Sequence, residues 1–184
     1  MDVIRQTTPL EVTDSPESQR LALRQLLDQA AIRDLAALYA IVRDDHHVDA
    51  LMQCFAPDGA FVHDGQPIRG REALRDYYLG NMRRNAFSHH IPHSHVIEFA
   101  DEHMATGIVT GHGEFANAST LTVCAYRYDD EYVKIDGRWM FARRDHAFMY
   151  SVPIEELASL GRDTLRLRWL GSEPKEAEWL PKAV

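Results

Sequence analysis

The sequence predicts an α+β domain in which a curved antiparallel sheet wraps around one long helix. Three observations carry this. Helical periodicity fills the first half of the chain, four long β-rich segments fill the second, and no low-complexity tract or linker divides them. At 184 residues, with 45% apolar and 26% charged residues, the composition suits one compact domain with its own core.

Residues 1–14 are polar, contain Pro9 and show no apolar period, so they are expected to form a flexible leader. Ser15 and Pro16 then supply an N-cap and a proline in the first helical turn, where its missing N–H costs nothing. A long helix follows, and its expected core stripe is Leu23, Leu27, Ala31, Leu35, Leu38 and Val42. A short helix over Val48–Phe55, a turn at Ala56-Pro57-Asp58-Gly59 and a short strand over Ala60–His63 come next, and Gly70–Asn85 reads as a third helix. Segments near 88–99, 104–116, 120–134 and 138–150 are rich in Val, Ile, Thr, Tyr and Phe and read as four antiparallel strands. A final helix is expected from Val152 through Gly161. The single domain thus spans 15–161, with residues 162–184 as a tail whose Trp169 and Trp179 close the cone mouth or bury against a neighbouring subunit.

Charge and composition narrow the function. Lys and Arg total 20 against 28 Asp and Glu, a formal charge of −8, which argues against a nucleic-acid-binding surface. The longest apolar run, Leu35–Val42, falls far short of the ~20 residues a membrane span needs. Cys54 and Cys124 cannot make a disulfide framework and fit a reducing cytoplasm. No Gly-rich nucleotide loop and no Gly-x-Ser-x-Gly elbow occurs, so covalent serine catalysis is not expected, and both cysteines sit where small core residues are normal.

Ten histidines draw attention, five of them between His89 and His103. His90 opens a strand and Asp44 ends the long helix. An imidazole with a pKa near ~6.5 accepts a proton at neutral pH, and a carboxylate on its other nitrogen fixes the tautomer. Tyr39 lies five residues before Asp44, a rotation of about 140° on a helix, so either the helix loosens at Arg43-Asp44 or the two residues line different walls. His93 and His95, two apart on a strand, are expected on one face as possible metal ligands, with His112 or Glu98 as a third; the alternative is a histidine-rich outer face or subunit contact. In the hairpin around Asp136-Gly137, a two-residue loop pairs Asp129 with Arg144, whereas a three-residue loop pairs Tyr128 with Arg144.

Taken in order, Ile32-Arg33-Asp34-Leu35, Tyr39, Asp44, Phe55-Ala56-Pro57-Asp58-Gly59, Gly70-Arg71-Glu72-Ala73-Leu74, His90-Ile91-Pro92-His93-Ser94, Ala105-Thr106-Gly107, Tyr132 and Asp136-Gly137-Arg138-Trp139 resemble the SnoaL-like (polyketide-cyclase-like) branch of the nuclear transport factor 2-like superfamily. That branch includes scytalone dehydratase, hexachlorocyclohexane dehydrochlorinase and the bile-acid dehydratase. The resemblance runs from about residue 20 to 155. It implies a cystatin-like cone and a lyase that eliminates water or HCl, or a related isomerase, without cofactor or metal. It places a His–Asp dyad on His90 and Asp44, further catalytic groups on Tyr39 and Arg144, and a pocket aromatic on Tyr128; Phe148 and Phe61 are also expected to line the substrate pocket. A pocket shared by Tyr128 and Arg144 favours the three-residue loop. Ser94 departs from the family's frequent asparagine, and the stretch Gly111-His112-Gly113-Glu114 does not clearly reproduce a further acid of the bile-acid enzyme. The expected partner is a small cyclic hydroxylated or ketonic substrate, within a homodimer or homotrimer. The rival expectation is a binding or assembly module of the same fold that transforms nothing.

Overall fold

The computed structural model describes residues 11–117, 119–159, 165–166 and 173–176. Trp169, Trp179 and most of the expected leader and tail lie outside the described residues. Three helices, α1 (Pro16–Asp44), α2 (Val48–Gln53) and α3 (Arg71–Arg84), pack against a curved, unclosed sheet of six strands. These are β1 (Phe55–His63), β2 (Gln66–Arg69), β3 (Phe87–Phe99), β4 (Met104–Ala116), β5 (Leu121–Ile135) and β6 (Arg138–Pro153), in the order β2-β1-β6-β5-β4-β3. The sheet is mixed rather than wholly antiparallel, because β1 runs parallel to β6. The four long strands β3 to β6 are antiparallel as expected.

The Ser15 hydroxyl caps α1 by accepting from the Ser18 N–H, with Pro16 in the first turn. The core face of α1 differs from the expected stripe. Leu35 and Val42 are buried, but Leu23, Leu27, Ala31 and Leu38 are exposed, and the inward face is made by Asp28, Ile32, Ala36, Tyr39 and Arg43. Leucines occur on several sides of this helix, so a four-and-three spacing fits more than one stripe. The face that wins is the one carrying polar anchors. Asp28 accepts from Trp139 Nε1 at 2.9 Å and Lys134 Nζ at 2.6 Å, which ties the middle of α1 to β5 and β6.

Strand β1 begins five residues earlier than expected, at Phe55. The Ala56–Gly59 stretch is an irregularity in the β1–β6 ladder rather than a separate turn. A hairpin with Asp64 and Gly65 at positive φ then adds β2, which the sequence reading lacks. At the end of β6 the expected helix is a short 3₁₀ segment over Ile154–Ser159, since β6 itself continues to Pro153.

Two bulges decide which side chains meet. The β5–β6 hairpin closes with a two-residue loop, Asp136 and Gly137 both at positive φ, pairing Ile135 with Arg138. This overturns the favoured three-residue loop. Ala142 is then an extra residue in β6, the register shifts by one, and Arg144 pairs with Asp130 while Tyr128 pairs with His146. Tyr128, Asp130, Arg144 and His146 therefore share the concave face, so Tyr128 and Arg144 adjoin by a route neither loop alone provides. A second bulge, in β3 between Pro92 and His95, reverses the alternation: Ser88 and His90 are buried before it, Ile97 after it.

Candidate active site

Asp44 is the last residue of α1, and its carboxylate reaches His90, the second inward position of β3 after Ser88. Oδ2 accepts the His90 backbone N–H at 2.7 Å and Oδ1 meets His90 Nδ1 at 2.5 Å. A carboxylate at a helix C-terminus is disfavoured by the helix dipole, so these two bonds are what hold it there. The pair is enclosed, with side-chain exposures of 5% for His90 and 15% for Asp44. Because a carboxylate only accepts, Nδ1 carries the proton, and Nε2 is left as the ring's acceptor. Burial pushes His90 below its ordinary value, against the opposing pull of Asp44. Burial also opposes charge on Asp44, but the bonds from His90 hold its carboxyl below the usual range. A neutral imidazole backed by a carboxylate results, which is the resting state of a general base.

Two adjoining clefts, a larger and a smaller, meet at His90, and Tyr39, Tyr126 and Tyr128 border both. Phe61, Tyr128 and Phe148, the expected pocket aromatics, wall the larger one. Tyr39 lies on an unbroken helix and shares a 3.0 Å hydroxyl contact with Tyr78, so it and Asp44 occupy different walls. Burial pushes the Tyr78 phenol well above its ordinary value, so it stays a protonated donor.

Arg144 is 1% exposed and borders the smaller cleft. Its Nε and Nη2 bond both oxygens of Asp130 at 2.8 and 2.7 Å, and its plane lies 4.3, 4.1 and 3.9 Å from the ring centres of Tyr39, Tyr128 and Phe141. Burial alone would disfavour the charge, but Asp130 keeps Arg144 well above its ordinary value. Tyr132 donates to Asp130 at 2.8 Å and accepts from the half-buried His95 Nε2 at 3.0 Å, extending the pair into a chain of four residues.

The sequence reading missed Asp130 as the Arg144 partner, and it missed Arg43 and His146. Arg43 is buried beside His90 with Nη1 lacking a hydrogen-bond partner among the described residues, and His146 Nδ1 is equally unpartnered. The only signal available was their spacing from Tyr39 and Arg144 on elements already placed in the pocket.

His93 and His95 do not share a face, because the β3 bulge falls between them. His93 contacts His112 on the exposed side at 2.7 Å, while His95 turns to Tyr132. No cluster of three potential ligands from His, Cys, Asp and Glu occurs among the described residues. Burial pushes the thiols of Cys54 and Cys124 to about 11 and about 12, so neither is a nucleophile at neutral pH. No helix among the described residues is long and apolar enough to cross a membrane.

Comparison with known proteins agrees with this architecture. The model of the SnoaL-like domain family matches residues 24–145. Among solved structures, a hexachlorocyclohexane dehydrochlorinase from Novosphingobium barchaimii superposes with a TM-score of 0.66 at 23% identity, over 72% of this chain and 93% of that one. A nuclear transport factor 2-like protein with a cystatin-like fold from Novosphingobium aromaticivorans gives 0.61 at 23%, over 74% and 92%. A protein of unknown function from Mycobacterium tuberculosis gives 0.64 at 29%, over 68% and 78%. No functionally curated protein matches the chain by sequence.

Proposed function

Since this chain belongs to the SnoaL-like domain family, whose fold is shared by dehydrochlorinases, we propose that it is a cofactor-independent lyase acting by β-elimination on a small cyclic hydroxylated or ketonic compound. The observation that carries this is the doubly bonded His90–Asp44 pair facing an aromatic-walled cleft. His90 Nε2 takes a proton from the carbon beside the carbonyl, the Cα–H electrons become the new C=C bond, and the β-hydroxyl leaves as water by taking that proton back from the His90 imidazolium. Asp44 holds the imidazolium that forms. The Tyr39 hydroxyl, with Tyr78 behind it, and Arg144 Nη1, which stands outside the Asp130 pair, donate to the oxygen where charge develops. Isomerisation uses the same base, with the proton returned to a different carbon.

We further propose residues 15–161 as the single catalytic domain, a cytoplasmic setting, and a homodimer or homotrimer. The exposed Leu23, Leu26, Leu27, Leu38 and Ile41 of α1 are the surface such an assembly would cover.

The test is dehydration of cyclic β-hydroxyketones, beginning with 3-hydroxycyclohexanone, followed through enone absorbance. Turnover should fall about 100- to 10,000-fold in His90→Ala and in Asp44→Asn, with circular dichroism unchanged. Near-normal rates in either folded variant would refute the assignment.

A further inference from the structure

Arg43 stands in the last turn of α1, immediately before Asp44, and lines the larger cleft. It is 7% exposed, and its Nη1 is buried without a hydrogen-bond partner among the described residues. Its contact with the Tyr78 ring, 5.1 Å to the centre, supplies cation–π attraction but accepts no hydrogen bond. The other buried guanidinium, Arg144, shows what satisfaction looks like here: two carboxylate oxygens and three aromatic faces. An arginine cannot shed its proton to escape burial, so an unpaired one is costly in the empty pocket.

No described residue on the walls neutralises it. No Asp or Glu lines the larger cleft among the described residues, and the nearby Asp44 carboxylate is turned to His90. His146, whose Nδ1 also lacks a partner, stays neutral because burial pushes it well below its ordinary value. In a chain of net charge −8, this cleft therefore presents an isolated positive site between apolar rings.

We infer that Arg43 anchors a carboxylate on the ligand, so that the cleft favours a small ring acid over a neutral ring of similar shape. A carboxylate matches the planar guanidinium and relieves the uncompensated charge, whereas a neutral carbonyl or hydroxyl leaves that charge in place. Phe61, Tyr128 and Phe148 then cover the ring faces. The inference rests on the elimination reading in placing the ligand in the cleft that His90 faces. There the binding energy of the anchored carboxylate positions the ring against Nε2.

Benzoate and its neutral analogue benzamide are the probes, titrated calorimetrically and by ligand-observed NMR into wild-type protein, His90→Ala, Arg43→Lys and Arg43→Met. Benzoate should bind saturably and more tightly than benzamide to the wild type. It should bind comparably to His90→Ala and about tenfold or more weakly to Arg43→Met, with benzamide indifferent to the substitution. Arg43→Lys, which keeps the charge without the fork, should retain part of the preference and serves if Arg43→Met fails to fold. Benzoate binding that is absent, no tighter than benzamide in the wild type, or undiminished in folded Arg43→Met overturns the inference. Because binding is read in His90→Ala as well, a failed catalytic assignment leaves this result intact, and the reverse also holds.

Discussion

Replacing Asp130 by Asn removes one charge from a pair that water does not reach: Asp130 is 2% and Arg144 1% exposed. Asn is nearly isosteric and can still accept from Tyr132, so the perturbation is mainly electrostatic. It leaves a guanidinium uncompensated beneath three aromatic rings. Breaking a buried pair from one side costs about 3–5 kcal/mol, against ~0–1 for an exposed one. At this chain length each kcal/mol lowers Tm by about 2–4 °C, so the expected fall is roughly 6–20 °C. Removing both charges in Asp130→Leu with Arg144→Met should recover most of the loss, because apolar groups carry no desolvation debt. Thermal and urea unfolding of Asp130→Leu, Arg144→Met and the double variant form a cycle that isolates the coupling. A loss below about 1 kcal/mol in Asp130→Asn, or a double variant no more stable than the single, would show that Arg144 is not held by Asp130 as described.

Acid should destabilise the protein through its buried imidazoles. Burial holds His90 below its ordinary value, His146 well below it, and His95 at about 4. Below the unfolded pKa of about 6.5 the unfolded chain takes up protons that the folded chain refuses, so stability present above that pH is lost as pH falls toward the folded values. A Tm that stays flat from neutral pH down to about 4 contradicts this. Gly111→Ala should also cost stability: its Cβ would stand 2.5 Å from the Tyr126 ring and 2.7 Å from the Ile91 carbonyl, and the backbone atom cannot swing away. The expected loss is about 1–3 kcal/mol with altered Tyr126 ring signals, and an unchanged melting curve would argue against that contact.

What the sequence discloses is set by which interactions are local. The Ser15-Pro16 start and the four long β-rich segments are written in short stretches and stand where expected, and the Asp136-Gly137 turn stands in its place with two loop residues instead of the favoured three. Helix α1 was harder, because Leu21, Leu23, Leu26 and Leu27 supply apolar residues on several sides while the true inward face includes Asp28 and Arg43. Bulges leave almost no local mark. One extra residue in β6 brings Arg144 onto Asp130, and one irregularity in β3 sends His93 and His95 to opposite faces, undoing a pairing that strict alternation implies. The residues alone offer His90 and Asp44 as one of many histidine–acid pairs, and it is the family resemblance that singles them out. Arg43 and His146 are distinguished only by lacking partners, which a sequence cannot display.

The dyad reading makes its sharpest demand on one ring. In two-bond proton–nitrogen spectra of ¹⁵N-labelled protein at neutral pH, His90 should be neutral with the proton on Nδ1 and a bare Nε2, titrating below about 6.5, and Asp44→Asn should weaken that preference. A proton resident on Nε2, or an imidazolium at neutral pH, would contradict the account.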